Sequence, residues 1–113
     1  MGEQILTEEE SFKQVLREAI DEGLGVLGES AKLAIYYHVY RRTFVSQEEI
    51  PEKLEDFTRA LHHIFGIGAT VIERQIAAQL YRKLELPYRD RGDYKLDDYV
   101  QEAKASLRRR NGL

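Results

Sequence analysis

The segment Glu29–Phe44, ESAKLAIYYHVYRRTF, carries the most restrictive pattern in the chain. Wound as a helix at about 100° per residue, it places Leu33, Tyr36, Tyr37, Tyr40 and Phe44 on one arc. Ile35 and Val39 widen that arc to roughly 200°. A helix that apolar needs neighbours on more than one side. The pattern therefore predicts a central helix over about residues 29–43, wrapped by others in an all-α bundle. His38, Arg41 and Arg42 share the polar strip that remains. Lys32 is the one charge on the apolar side.

Four further amphipathic segments supply the wrapping. Thr7 followed by Glu10 has capping-box spacing, which starts a first helix near Glu8. Phe12, Val15, Leu16, Ala19, Ile20 and Leu24 form its apolar face. Gly23, Gly25 and Gly28 follow closely and predict a loop over about 23–28. Ser46 and Glu49 repeat the capping-box spacing ahead of Ile50-Pro51. Pro51 fits a helical first turn, so a third helix runs from Glu52 to Phe65 behind a short turn at 46–50. Its stripe is Ile50, Leu54, Phe57, Leu61, Ile64 and Phe65. Gly66-Ile67-Gly68 is too short a link for anything but an antiparallel return, giving a 52–65/69–84 helical hairpin. The fourth helix buries Ala69, Ile72, Ile76, Ala77, Leu80, Tyr81 and Leu84. The charged stretch Tyr88–Tyr94 contains Gly92 and reads as a surface loop. Leu96, Tyr99, Val100, Ala103 and Leu107 make the seam of a fifth helix. Asp97 and Asp98 at its start and Arg108–Arg110 at its end suit the helix dipole.

Composition narrows the function classes. A chain of 113 residues is one domain, long enough to bury a core without a metal or disulfide staple. The absence of cysteine removes disulfides, thiolate catalysis and thiolate zinc sites. No apolar run reaches the length of a membrane span. The acidic start MGEQILTEEE is unlike a secretory leader, so a cytoplasmic location is expected. Residues 1–81 sum to −6 and residues 82–113 to +3, within a total of −3. That balance disfavours nucleic acid as a partner.

Few residues carry a chemical signal. Glu73 projects into the buried arc of the fourth helix, where a carboxylate needs a partner or marks a site. Pairing with a nearby Arg, or a place at the helix rim, is the simpler account. Tyr36, Tyr37 and Tyr40 cluster beside Arg41 and, with Glu73, form the candidate ligand-binding set. Core packing with each hydroxyl at a polar rim is the alternative. His62 and His63 are neighbours and diverge on a helix, so no metal site is expected. Gly66 and Gly68 fall short of a phosphate-binding loop, and Arg108–Arg110 lack interleaved aromatics for nucleic acid. The seam Leu96, Tyr99, Val100, Ala103 and Leu107 either packs on its own bundle or meets a second subunit in a homodimer. No catalytic residues and no cofactor are assigned.

One likeness is visible. Leu27-Gly28-Glu29-Ser30 leading into Ala34-Ile35-Tyr36-Tyr37-His38 resembles a family of archaeal all-helical output domains, the NitrOD type. The resemblance continues through Glu49-Ile50-Pro51, Phe57, Leu61 and Ile64-Phe65-Gly66. It closes with Gly68-Ala69, Val71-Ile72-Glu73 and Leu80-Tyr81. It implies a signalling or interaction role and no catalytic residues. The expected function is a non-enzymatic helical protein-interaction or signal-output module able to self-associate. A small-ligand sensor and a nucleic-acid-binding regulator are the alternatives.

Overall fold

A computed structural model describes residues 7–110. All its regular elements are helical. Five α-helices, α1 (Glu8–Gly25), α2 (Glu29–Thr43), α3 (Leu54–Phe65), α4 (Ala69–Leu84) and α5 (Leu96–Arg110), form the bundle. A 3₁₀ helix, Gln47–Glu52, separates α2 from α3, and the single 3₁₀ turn Gly66–Gly68 joins α3 to α4. No helix among the described residues is long and apolar enough to cross a membrane.

Local chemistry sets the helix ends. At α1 the Glu10 amide donates to Thr7 Oγ1 and the Thr7 amide to the Glu10 carboxylate, each at 3.0 Å. The Ser46 amide and hydroxyl both donate to the Glu49 carboxylate, which holds that carboxyl below its usual range. Pro51 lies inside the 3₁₀ helix, so α3 begins at Leu54 rather than Glu52. Gly66 ends α3 at φ 60° and ψ −136°, a conformation open to glycine alone.

The centre of the bundle is not where the pattern of 29–43 puts it. Only Ile35 and Val39 of α2 are buried, while Leu33, Tyr37 and Tyr40 are about half exposed and Phe44 is 77 % exposed. The α2 helix therefore lies at the periphery, against α1 and α3. Its wide apolar arc is two faces, Ile35 and Val39 turned inward and Leu33, Tyr37 and Tyr40 turned outward. The most extensive helix pairing is α1 with α4. Phe12, Leu16, Ala19, Ile20 and Leu24 of α1 are buried there, as are Ile76, Ala77 and Leu80 of α4.

Gly23 explains the pairing. It lies within α1, not in the expected loop, and is buried. A Cβ at that position would stand 2.7 Å from Ile76 Cγ1 and 2.9 Å from Ile76 Cα. Glycine thus lets the two backbones approach more closely than any side chain allows. Gly25 faces open space, and Gly28, at φ 107°, makes the turn into α2.

The remaining helices pack on this pair. Val45 returns into the core after α2, whereas Phe44, on the apolar arc of that segment, does not. The seam of α5 is occupied within the chain: Leu96, Tyr99, Val100 and Ala103 are buried and Leu107 is partly buried. Those residues pack on α3 and α4 and are not a free surface for a second subunit.

Gly23→Ala gains about 1 kcal/mol of helix propensity, but it must displace the Ile76 backbone, an overpacking cost of about 1–3 kcal/mol. We expect a net loss of stability in urea denaturation, with Gly25→Ala neutral or stabilising as the control.

Candidate functional site

Among the described residues Glu73 is the buried charged one, 4 % exposed. One turn into α4, it reaches two other helices. Its Oε1 accepts the Leu96 amide hydrogen at 2.9 Å. That amide belongs to the first turn of α5, where backbone N–H groups have no intrahelical partner and the dipole favours negative charge. Its Oε2 lies 2.6 Å from His62 Nε2 on α3. With the carboxylate accepting, that nitrogen carries the hydrogen. The partners are thus a histidine and a helix end, in place of the two accounts the sequence offered, a nearby arginine or the open helix rim. Arg74 instead approaches Asp90 at 3.0 Å.

The pair lies at the wall of an open cleft of about 1170 Å³ lined in part by Lys13, Glu52, Arg59, His62, Glu73 and Lys95. A carboxylate-oriented imidazole is half of a general-base arrangement. No Ser or Thr hydroxyl among the described residues hydrogen-bonds His62, and no three His, Asp or Glu side chains gather as a metal would require. The arrangement ties α3, α4 and the start of α5 together.

The tyrosines of α2 do not join Glu73. None of the residues lining that cleft comes from α2. Tyr36 turns inward and donates its hydroxyl hydrogen to Asp21 Oδ1 of α1 at 3.0 Å. Lys32 Nζ meets the other oxygen of Asp21, also at 3.0 Å. This triad anchors α2 on α1. Burial, then the Asp21 hydrogen bond, pushes the Tyr36 phenol above its ordinary range. The hydrogen bond to Asp21 holds Lys32 above its own.

Tyr37, Tyr40 and Arg41 stand on the outer side. Arg41 Nη1 donates to the Tyr37 hydroxyl at 3.1 Å, and its guanidinium lies 5.8 Å from that ring's centroid. Tyr40 and Phe44 meet edge to face with centroids 6.2 Å apart. Leu33, Tyr37, Tyr40 and Phe44 therefore form one exposed stripe. It spans about 60° of the helix and lies roughly 150° from the buried pair Ile35 and Val39. Five of the six ligand-set and stripe residues on α2 thus share one surface, with Tyr36 behind it and Glu73 elsewhere in the fold.

The chain matches no protein-family model, no curated protein and no solved structure. Its site must be read from its own geometry.

A second tyrosine cluster escapes the sequence patterns. Tyr99 on α5 lies among Tyr81, Tyr88 and Tyr94, with ring centroids 5.0–6.2 Å away. The Tyr99 hydroxyl accepts the Arg91 amide hydrogen at 2.8 Å and donates to the Arg91 carbonyl at 3.1 Å. Tyr81 donates to the Tyr99 carbonyl at 2.7 Å. These bonds fasten the loop between α4 and α5. The spacing of Tyr88 and Tyr94 in a charged loop carries no helical period, so only their chemistry could have signalled it: partly buried aromatic rings that pack edge to face on one another. Of the three arginines at the end of α5, Arg110 reaches back to the Leu84 carbonyl at the end of α4.

Two measurements test these assignments. Glu73→Gln keeps an acceptor and costs about 1 kcal/mol, while Glu73→Ala leaves the buried Leu96 amide unpartnered and costs about 2–4 kcal/mol in urea denaturation. Burial pushes the Tyr81 phenol up to about 12 from 10.0. Its neutral form is favoured by the fold, so its contribution is complete below pH 10 and is lost as pH rises towards 12. Thermal melts should fall across that window, and Tyr81→Phe should make the fall shallower.

Proposed function

We propose that this chain is a non-enzymatic helical protein-interaction module whose working surface is the outer face of α2. The observation that carries this reading is the exposed stripe Leu33, Tyr37, Tyr40 and Phe44. Scattered exposed apolar residues are ordinary, but a contiguous apolar face rimmed by charge marks an interaction site. Tyrosine and arginine at its middle are the residue types that dominate binding energy at protein interfaces.

Phe44 strengthens the reading. It caps α2 in the left-handed conformation, φ 60° and ψ 21°. That position favours glycine or asparagine, and a bulky residue there is strained. The same ring is 77 % exposed. Strain and exposure both oppose phenylalanine in the isolated domain, so its ring has a use outside the domain's own packing. Glu73 supports the non-enzymatic part of the proposal, since both its oxygens hold helices together. The resemblance to helical output domains fits a role in passing a signal by contact, and an archaeal, cytoplasmic setting would accord with it.

The test is a matched pair of baits. Tyr37→Glu and Tyr40→Glu alter only exposed positions and should leave the melting temperature within a few degrees of the parent. They should lose at least nine-tenths of whatever protein the parent chain retains, its own copies included. Equal retention by parent and variants would overturn the reading.

A further inference from the structure

We infer that the occupant of the α2 face is a second copy of this chain, packed α2 against α2 in antiparallel orientation about a two-fold axis. The inference rests on the interaction reading above and names the partner for the same surface.

The first support is the spacing of the stripe. Leu33, Tyr37, Tyr40 and Phe44 are separated by four, three and four residues. That order is the same read in either direction. In a two-fold interface residue i meets j while j meets i. Antiparallel pairing therefore sets Tyr37 against Tyr40 twice at the centre and Leu33 against Phe44 twice at the ends. The smaller side chain stands opposite the larger at each end, and a ring stands opposite a ring at the middle.

The helix dipoles support the same direction: antiparallel pairing opposes the two α2 dipoles, whereas parallel pairing would align them.

The area is sufficient. Aromatic side chains bury 150–250 Å² each. At the exposed fractions of Tyr37, Tyr40 and Phe44, the rings offer roughly 350 Å² per copy. Leu33 and the flanking Glu29, Ser30, Ala34 and Arg41 raise the total for two copies to about 1,000 Å², the lower bound for a specific interface. The stripe thus makes a small, reversible dimer.

The experiment uses the full chain and three kinds of variant. Sedimentation equilibrium from micromolar to millimolar concentration should show the parent passing from monomer to dimer. Tyr40→Glu should remain monomeric with an unchanged melting temperature. Phe44→Gly should weaken dimerisation at least tenfold while melting at the same temperature or higher, because glycine relieves the left-handed cap. The chain has no cysteine of its own, so Tyr37→Cys and Tyr40→Cys report orientation. Mixed and oxidised together, the two variants should form the heterodisulfide in preference to either homodisulfide. A parent that stays monomeric throughout, or homodisulfides in excess, overturns the inference. A monomeric parent whose capture of another protein still depends on Tyr40 overturns self-pairing alone. A monomeric parent with no Tyr40-dependent capture overturns the interaction reading as well.

Discussion

The fold depends on the approach of two backbones. At Gly23 the α1 helix comes so close to α4 that Ile76 occupies the space of the missing side chain. Ala19, Ala69 and Ala77 are fully buried on the same two helices. Small residues let dispersion act between main chains as well as side chains. Ion pairs along the rim, such as Arg82 with Glu22 at 3.1 Å, contribute little beside this, since exposed pairs are screened by water. Every other helix is placed by reference to this pair: α2 through the Asp21 triad on α1, and α3 and α5 through Glu73 on α4.

That division explains how much the sequence discloses. The elements themselves were legible. The period of apolar residues locates α4 and α5, and the Thr7 cap starts α1 as expected, while the Ser46 box starts a 3₁₀ helix where a short turn was expected. What periodicity cannot express is rank. The α2 segment spreads its apolar residues more evenly around its circumference than α4 does, yet α4 is the buried helix. Its advantage is small side chains at the contact, which permit close packing and do not enlarge an apolar arc. Gly23 was misread for the same reason: a glycine in a sequence has the same appearance whether it breaks a helix or admits a neighbour.

The candidate site was legible by residue and not by grouping. Tyr37, Tyr40 and Arg41 do share a surface, and Glu73 was recognisable as a carboxylate out of place. Their union in one ligand set fails because helix geometry within one element says nothing about distances between elements. Glu73 finds His62 across the α3–α4 hairpin and Leu96 beyond a long loop, two contacts that no local spacing encodes. Tyr36 and Tyr37, adjacent in sequence, differ by about 100° in direction, and that angle separates an anchor from a contact surface.

The Tyr99 hydroxyl has a consequence for how the molecule opens. One phenol on α5 satisfies both main-chain groups of Arg91, and the backbone carbonyl of the same tyrosine receives Tyr81 from α4. The loop before α5 therefore has no independent hold on the core at Arg91. When α5 detaches, the main chain of Arg91 is released with it, although Arg74 of α4 still holds Asp90 and Gly92 on either side. Native-state hydrogen exchange would see the amide of Arg91 share the opening free energy of a helix although it lies in irregular backbone.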